Sequence, residues 1–158
     1  MNAPECINTE NAMRRVFTPL LLAGLTSLSA TAAQAALPET ATLYKNPQCM
    51  CCDGYARHLE EHGVDVTVVS DRDMNEVKTQ AGVPYGKGSC HTIKAGDYWI
   101  EGHVPMAALE AFFEEAPATA GIGLAGMPSG TPGMPGAKTE PYNVYTFSEH
   151  EATPYMTL

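Results

Sequence analysis

Three cysteines fall within four residues, Cys49-Met50-Cys51-Cys52, directly before a stretch with helical periodicity. Thiols spaced this closely are seldom needed for packing, whereas a soft metal ion or thiol exchange requires them together. A fourth cysteine, Cys90, lies about forty residues downstream and is followed by His91. The fold must therefore present a sulfur-rich loop, and its chemistry is soft-metal binding or thiol redox chemistry outside the cytoplasm.

The first 35 residues indicate a secretory signal. Arg14 and Arg15 precede an apolar run over residues 16–30, and Ala33-Gln34-Ala35 supplies a small-residue cleavage site. We expect cleavage near Ala35 and export to the periplasm. The apolar run is too short and too rich in Ser and Thr for a membrane span, so the mature protein is predicted to have none.

Removing this segment takes away Cys6 together with two acidic and two basic residues, which leaves four cysteines and a net charge of −9. An acidic surface argues against nucleic acid and anionic lipid as partners. Four cysteines in an oxidising compartment could equally form two disulfides, and this alternative stays open.

The residues after 36 predict an alternation of strands and helices. Strands are expected over residues 40–44, 64–69, 89–94 and 98–101, and helices over residues 52–62, 73–81 and 105–115. This order predicts a thioredoxin-like α/β fold, in which a four-stranded mixed sheet is flanked by helices. The cysteine cluster then lies on the loop from the first strand into the first helix. Residues 36–117 are the predicted metal-binding domain.

Residues 118–158 are predicted to be a Gly/Pro/Met-rich C-terminal extension that packs on this domain. Gly and Pro dominate residues 121–136, a composition that argues against regular structure, and an apolar patch follows at residues 142–147. Met127 and Met134 flank a turn-rich loop and are candidate Cu(I) ligands. The alternative is a linker whose methionines are incidental.

The cysteine spacing favours copper over other partners of the thiols. Adjacent Cys51 and Cys52 cannot comfortably chelate one ion but can bridge two, which favours a polynuclear Cu(I)–thiolate site. Zinc is less favoured, because structural zinc sites usually use two separated C-x-x-C pairs. Cys49 and Cys52 form one such pair, so disulfide exchange with Cys49 as nucleophile and Cys52 as resolving thiol remains an alternative.

Cys90 lies at the start of the predicted third strand and is expected to complete the site. His91 is a weaker candidate ligand, because neighbouring side chains alternate across a strand. Met50, inside the cluster, is another weak candidate. His103 stands just before Pro105 at a predicted helix start, where a capping or surface role is expected.

Four motifs, taken in order, resemble those of the CopG-type copper-resistance proteins, an exported bacterial family long catalogued as a domain of unknown function. They are Asn46-Pro47-x-Cys49-x-Cys51-Cys52, Gly88-Ser-Cys90-His91-Thr92, Glu101-Gly-His103-Val-Pro105 and Gly126-Met-Pro-x-Gly-x-Pro-Gly-Met134. The resemblance covers residues 41–147.

This resemblance implies a thioredoxin-like fold and copper binding through Cys49, Cys51, Cys52 and Cys90. It also implies a role in periplasmic copper resistance that interconverts Cu(I) and Cu(II). We expect periplasmic copper exporter or chaperone components as partners. The alternative is a passive chaperone or buffer that passes copper to an exporter and catalyses nothing. Whether the protein is an enzyme, a copper-based oxidoreductase, is left open by the sequence.

Overall fold

The computed structural model describes residues 37–158, so the predicted signal segment lies outside the described residues. The described range contains three helices and seven strands. In chain order they are β1 (Thr40–Lys45), α1 (Met50–Glu61), β2 (Asp65–Val69), α2 (Met74–Ala81), β3 (His91–Ala95), β4 (Tyr98–Glu101), α3 (Met106–Glu115), β5 (Gly121–Leu124), β6 (Asn143–Ser148) and β7 (Glu151–Thr157). Through α3, every predicted helix and strand is present with ends within two residues of the expected ones.

All seven strands form one mixed sheet in the order β2-β1-β3-β4-β5-β6-β7. The β1–β2 and β4–β5 pairs are parallel, and the other four pairs are antiparallel. The predicted mixed α/β architecture is confirmed. The predicted number of four strands is wrong, because residues 118–158 add β5, β6 and β7 to the edge formed by β4.

Strand β5 lies inside the Gly/Pro-rich segment whose composition argued against regular structure. Its glycines are required by close packing. A Cβ atom at Gly121 would collide with the carbonyl oxygen of Trp99, and one at Gly123 would lie 2.5 Å from the Tyr145 ring. These glycines therefore let β5 pair closely with its neighbours, and their presence does not indicate a flexible linker.

The apolar side chains of α1 and α3 share one buried cluster with the sheet. Tyr55 and Leu59 of α1 and Phe112 of α3 are each at most 2% exposed and pack with Leu43 and Ile93. This continuous core holds the start of α1 at a fixed position over the central strands. Within residues 37–158, no helix has the length and apolarity to cross a membrane.

Strand pairing brings the cysteine-bearing segments together. In the antiparallel β1–β3 pair, Lys45 at the end of β1 lies opposite His91 at the start of β3. The loop that leaves β1 leads into the first turn of α1, and Cys90 immediately precedes His91. Cysteines far apart in sequence therefore meet at one end of the two central strands.

Candidate metal centre

The first turn of α1 carries three of the four cysteines. Cys49 is the residue before the helix, with extended backbone (φ −83°, ψ 94°) and no side-chain capping bond. Its N–H donates to the Asn46 carbonyl at 3.0 Å, which turns the chain from β1 into α1. Because the first N–H groups of a helix lack intrahelical partners, the sulfurs lie at its partially positive end, where thiolates are favoured.

An ion pair between buried Lys45 and partly exposed Asp53 fixes this turn. Lys45 is only 5% exposed, and its Nζ donates to the Cys49 carbonyl at 3.1 Å and to Asp53 at 2.9 Å. A buried ammonium is stable only when it is paired and hydrogen-bonded, and these two partners satisfy it. Lys45 thereby links the end of β1 to the cysteine turn.

The four cysteines predicted to form the site lie together, with all four sulfurs within 4.8 Å of one another. Cys49 and Cys52 form a disulfide, and Cys51 and Cys90 are free. The Cys51 sulfur lies 3.3 Å from that of Cys49, and the Cys90 sulfur lies 3.3 Å from that of Cys52 and 3.6 Å from that of Cys51. The sulfurs therefore form a closed ring in which each one contacts two others.

These sulfurs differ in their access to solvent. Cys52 is fully buried, whereas the other three are partly buried. Burial raises the pKa of the Cys90 thiol to about 11, and neighbouring Cys51 contributes further. At neutral pH the Cys90 sulfur is therefore protonated in the metal-free protein, and a metal ion that binds it must displace a proton.

Two histidines extend the site on the far side of Cys90. The Cys90 sulfur lies 3.4 Å from Nε2 of His103 and 3.7 Å from Nδ1 of His91. One donor atom from each of these three residues lies within 4.8 Å of the other two, so they form a second potential ligand set that shares Cys90 with the sulfur ring. The two imidazoles are fully buried, and their rings are 4.7 Å apart.

Both imidazoles are held in the neutral form that metal ions bind. Burial lowers the pKa of His91 well below its usual value, and nearby His103 and Lys78 lower it further. Burial also lowers the pKa of His103, against the opposing effect of its hydrogen bond to Pro132. Nε2 of His91 has no hydrogen-bond partner, so its ring offers an uncommitted buried nitrogen.

The hydrogen bond of His103 defines which nitrogen faces the sulfur. Nδ1 lies 2.8 Å from the carbonyl oxygen of Pro132, to which only a protonated nitrogen can donate. Nε2 of the neutral ring is then an acceptor and points toward Cys90. This arrangement, in which one ring nitrogen is fixed and the other is free, is typical of metal-ligating histidine.

The loop that includes Pro132 lies directly on the first turn of α1. At Gly133, where φ is 79°, an added Cβ would lie 2.6 Å from the Tyr55 nitrogen and 2.7 Å from the Cys51 carbonyl oxygen. Only glycine permits both this backbone conformation and this approach. The backbone at Gly133 therefore packs directly against the cysteine turn.

The candidate methionines differ in exposure. Met134, next to Gly133, is partly buried, whereas Met50 is 83% exposed and Met127 is 53% exposed. A role of these thioethers as ligands stays a prediction.

Two expectations about the histidines need correction. His103 is buried beside Cys90, so the expected capping or surface role is wrong. The alternation argument against His91 does not hold, because β3 begins at His91 and Cys90 lies before the strand. In the sequence, only the motif Glu101-Gly-His103-Val-Pro105 drew attention to His103. This motif contains no second histidine or cysteine at a spacing that would have predicted a ligand role for His103.

This chain is similar to a family of unknown function and to two solved copper-resistance proteins. A family model described as "Protein of unknown function, DUF411" matches residues 87–134, a range that includes Cys90, His91 and His103. Two solved structures, "Copper resistance protein copG- Form 1" and "Copper resistance protein copG- Form 2", are each 34% identical to this chain. Each match covers 77% of this chain and 98% of the other, with a TM-score of 0.69. The search of curated proteins gave no match.

Proposed function

This chain belongs to the CopG-type (DUF411) family of copper-resistance proteins, and on that premise we propose that it is a periplasmic protein that binds copper through Cys49, Cys51, Cys52 and Cys90. The observation that carries the proposal is the shared position of Cys90. Its sulfur contacts Cys51 and Cys52 on one side and His91 and His103 on the other.

The donor atoms fit copper better than they fit hard cations. Thiolates select Cu(I), and imidazoles suit both Cu(I) and Cu(II). The ring of four sulfurs offers bridging ligands once the Cys49–Cys52 disulfide is reduced, which supports a site for more than one Cu(I). The second set, one cysteine and two histidines, has the composition found at copper electron-transfer sites and supports interconversion of Cu(I) and Cu(II).

The fold and its processing belong to the same proposal. Strands β2-β1-β3-β4 form a mixed arrangement with β1 and β2 parallel, and the cysteines lie at the β1–α1 junction. This arrangement supports a thioredoxin-like domain over residues 36–117. We assign residues 1–35 to a removed export signal, and residues 118–158 to an extension whose 130–134 loop covers the site.

Anaerobic titration of the reduced protein with Cu(I) against a competing chelator tests the proposal. We expect two or more tightly held coppers per chain, and fewer after Cys51→Ser or Cys90→Ser. An unchanged stoichiometry in Cys51→Ser would contradict the bridged site. Turnover between Cu(I) and Cu(II) would then separate an oxidoreductase from a passive copper buffer.

The Cys49–Cys52 disulfide favours one second candidate, a thiol–disulfide oxidoreductase. Cys49 is partly buried and Cys52 is fully buried, so an external thiol reaches Cys49 more easily and Cys52 suits the resolving role. This candidate predicts that the metal-free protein exchanges with model disulfides and that Cys49→Ser abolishes the exchange. If serine substitutions of these cysteines leave the copper stoichiometry unchanged, the oxidoreductase candidate is favoured.

A further inference from the structure

A fully buried carboxylate lies behind the segment that carries Cys90. Glu101 is the last residue of β4 and is 0% exposed. A carboxylate is removed from water at a cost of several kcal/mol unless close partners compensate. The contacts of Glu101 therefore indicate which residues its carboxylate holds in place.

Three donors surround the Glu101 carboxylate. Oε1 accepts hydrogen bonds from Lys78 Nζ at 2.5 Å and from the backbone N–H of Ser89 at 2.5 Å. Oε2 accepts from the Thr92 hydroxyl at 2.7 Å, and Lys78 Nζ also donates to that hydroxyl at 2.9 Å. Both carboxylate oxygens are thus engaged, by α2 and by residues on both sides of Cys90 and His91.

The backbone at Ser89 depends on this carboxylate. Ser89 precedes β3, and its N–H donates to Glu101, not to a neighbouring strand. Its hydroxyl donates to the Gly126 carbonyl at 2.5 Å, which ties the segment to the loop leading to Met127. Two hydrogen bonds therefore fix the residue immediately before Cys90.

Small movements at this point change the donor geometry. The Cys90 sulfur contacts two sulfurs and two imidazole nitrogens at 3.3–3.7 Å. A shared ligand must satisfy several distances at once, and metal or catalytic sites lose much of their function when a group moves by about 1 Å. Residues that hold the backbone on both sides of Cys90 therefore hold the shared ligand.

The geometry points to Glu101 as a positioning residue of the copper centre: its carboxylate fixes Ser89 and Thr92 and so aims Cys90 and His91 at a common ion, with Lys78 as its counter-charge. This inference rests on the proposed copper function. It goes beyond that function by assigning a role to an ion pair that contacts none of the proposed ligand atoms.

The first test compares Glu101→Gln with Leu109→Ala, a control that lowers stability by opening the α3 core. Copper affinity of the folded fraction is measured by chelator competition, and the ultraviolet absorption of the loaded protein is recorded. We expect at least tenfold weaker Cu(I) binding and an altered thiolate band in Glu101→Gln, but neither change in Leu109→Ala. If Glu101→Gln fails to fold, Thr92→Val is measured in its place. This substitution removes the hydrogen bonds of the Thr92 hydroxyl to Glu101 and to Lys78, and we expect it to shift copper affinity and the thiolate band in the same direction.

A second readout needs no copper. In a background with Cys6, Cys49 and Cys52 replaced by serine, equilibrium with glutathione disulfide gives the effective concentration of the Cys51 and Cys90 thiols for each other. We expect Glu101→Gln to lower it at least tenfold. If copper affinity and effective concentration both match the unmutated parents, Glu101 is a structural ion pair only and the inference is overturned.

The two readouts also separate this inference from the proposed function. If the unmutated protein binds no copper while Glu101→Gln still lowers the effective concentration, the copper proposal fails and the positioning role stands. If affinity falls at constant effective concentration, Glu101 does not act through the position of Cys90, and the inference fails.

Discussion

If the four cysteines bind copper as proposed, the redox state of the Cys49–Cys52 disulfide should set how much copper the site holds. In the disulfide form, only Cys51 and Cys90 remain as thiols. Reduction frees two more sulfurs that lie within 4.8 Å of the others. We therefore expect the reduced protein to bind at least one more Cu(I) than the disulfide form.

The dependence of the disulfide's midpoint potential on free Cu(I) follows from thermodynamic linkage. A ligand that binds only the reduced state stabilises that state in proportion to the logarithm of its free concentration. For a two-electron couple, each tenfold rise in free Cu(I) should raise the midpoint potential of the disulfide by about 30 mV per additional copper. Two additional coppers would give about 60 mV on the same basis.

The measurement is a redox titration at several fixed concentrations of free Cu(I). The protein is equilibrated with thiol–disulfide buffers while a strong chelator sets free Cu(I), and its free thiols are then alkylated and counted by mass. Tyr85→Ser, which alters a fully exposed side chain, is the matched control and should give the parent slope. A midpoint potential that is independent of copper would refute the reasoning, because Cys49 and Cys52 would then not hold the ion.

Three further predictions concern the imidazoles, the proton and the covering loop. His103→Ala should weaken copper binding by about tenfold or more and reduce the nitrogen coupling in the electron paramagnetic resonance of the oxidised copper protein, with the remaining coupling due to His91; unchanged coupling would contradict this. Because the pKa of Cys90 is about 11, copper must displace its proton, so Cu(I) affinity should rise at least tenfold per pH unit from about pH 6 to 8; a flat profile in chelator competition would exclude Cys90 as a ligand. Gly133→Ala should lower the free energy of unfolding in urea by about 1–3 kcal/mol. Gly136→Ala, with φ 91° and no contact closer than 3.5 Å, shares the backbone penalty, so equal losses would show that the close contact with α1 contributes nothing.

The helices and strands as far as α3 could be predicted because residue periodicity and terminating glycines are visible within short segments of the sequence. Tyr55, Ala56 and Leu59 share one arc of a helix, and Gly82 ends α2 in the left-handed conformation (φ 74°) that glycine favours. The four cysteines could be grouped because three fall within four residues and the fourth lies at the start of the third predicted strand. These inferences need only neighbouring residues and a strand order.

The remainder depends on contacts that the sequence does not display. His103 owes its orientation to Pro132, 29 residues downstream. Gly121 and Gly123 resembled a linker because composition cannot distinguish flexible glycine from glycine required by close packing. Glu101 gave no signal of its own, because a buried carboxylate is recognised only once Lys78 and Ser89 are seen around it.

The hydrogen bond between His103 and Pro132 has a consequence for how the site is assembled. The C-x-C-C segment emerges early during synthesis, but the imidazole beside Cys90 takes its place only when the chain as far as residue 134 is present. A chain interrupted between residues 104 and 130 would carry all four cysteines and both histidines without the support that orients them. We therefore expect the proposed centre to be completed late in synthesis, and a fragment that retains the cysteines should not replace the whole chain in a copper-loading assay.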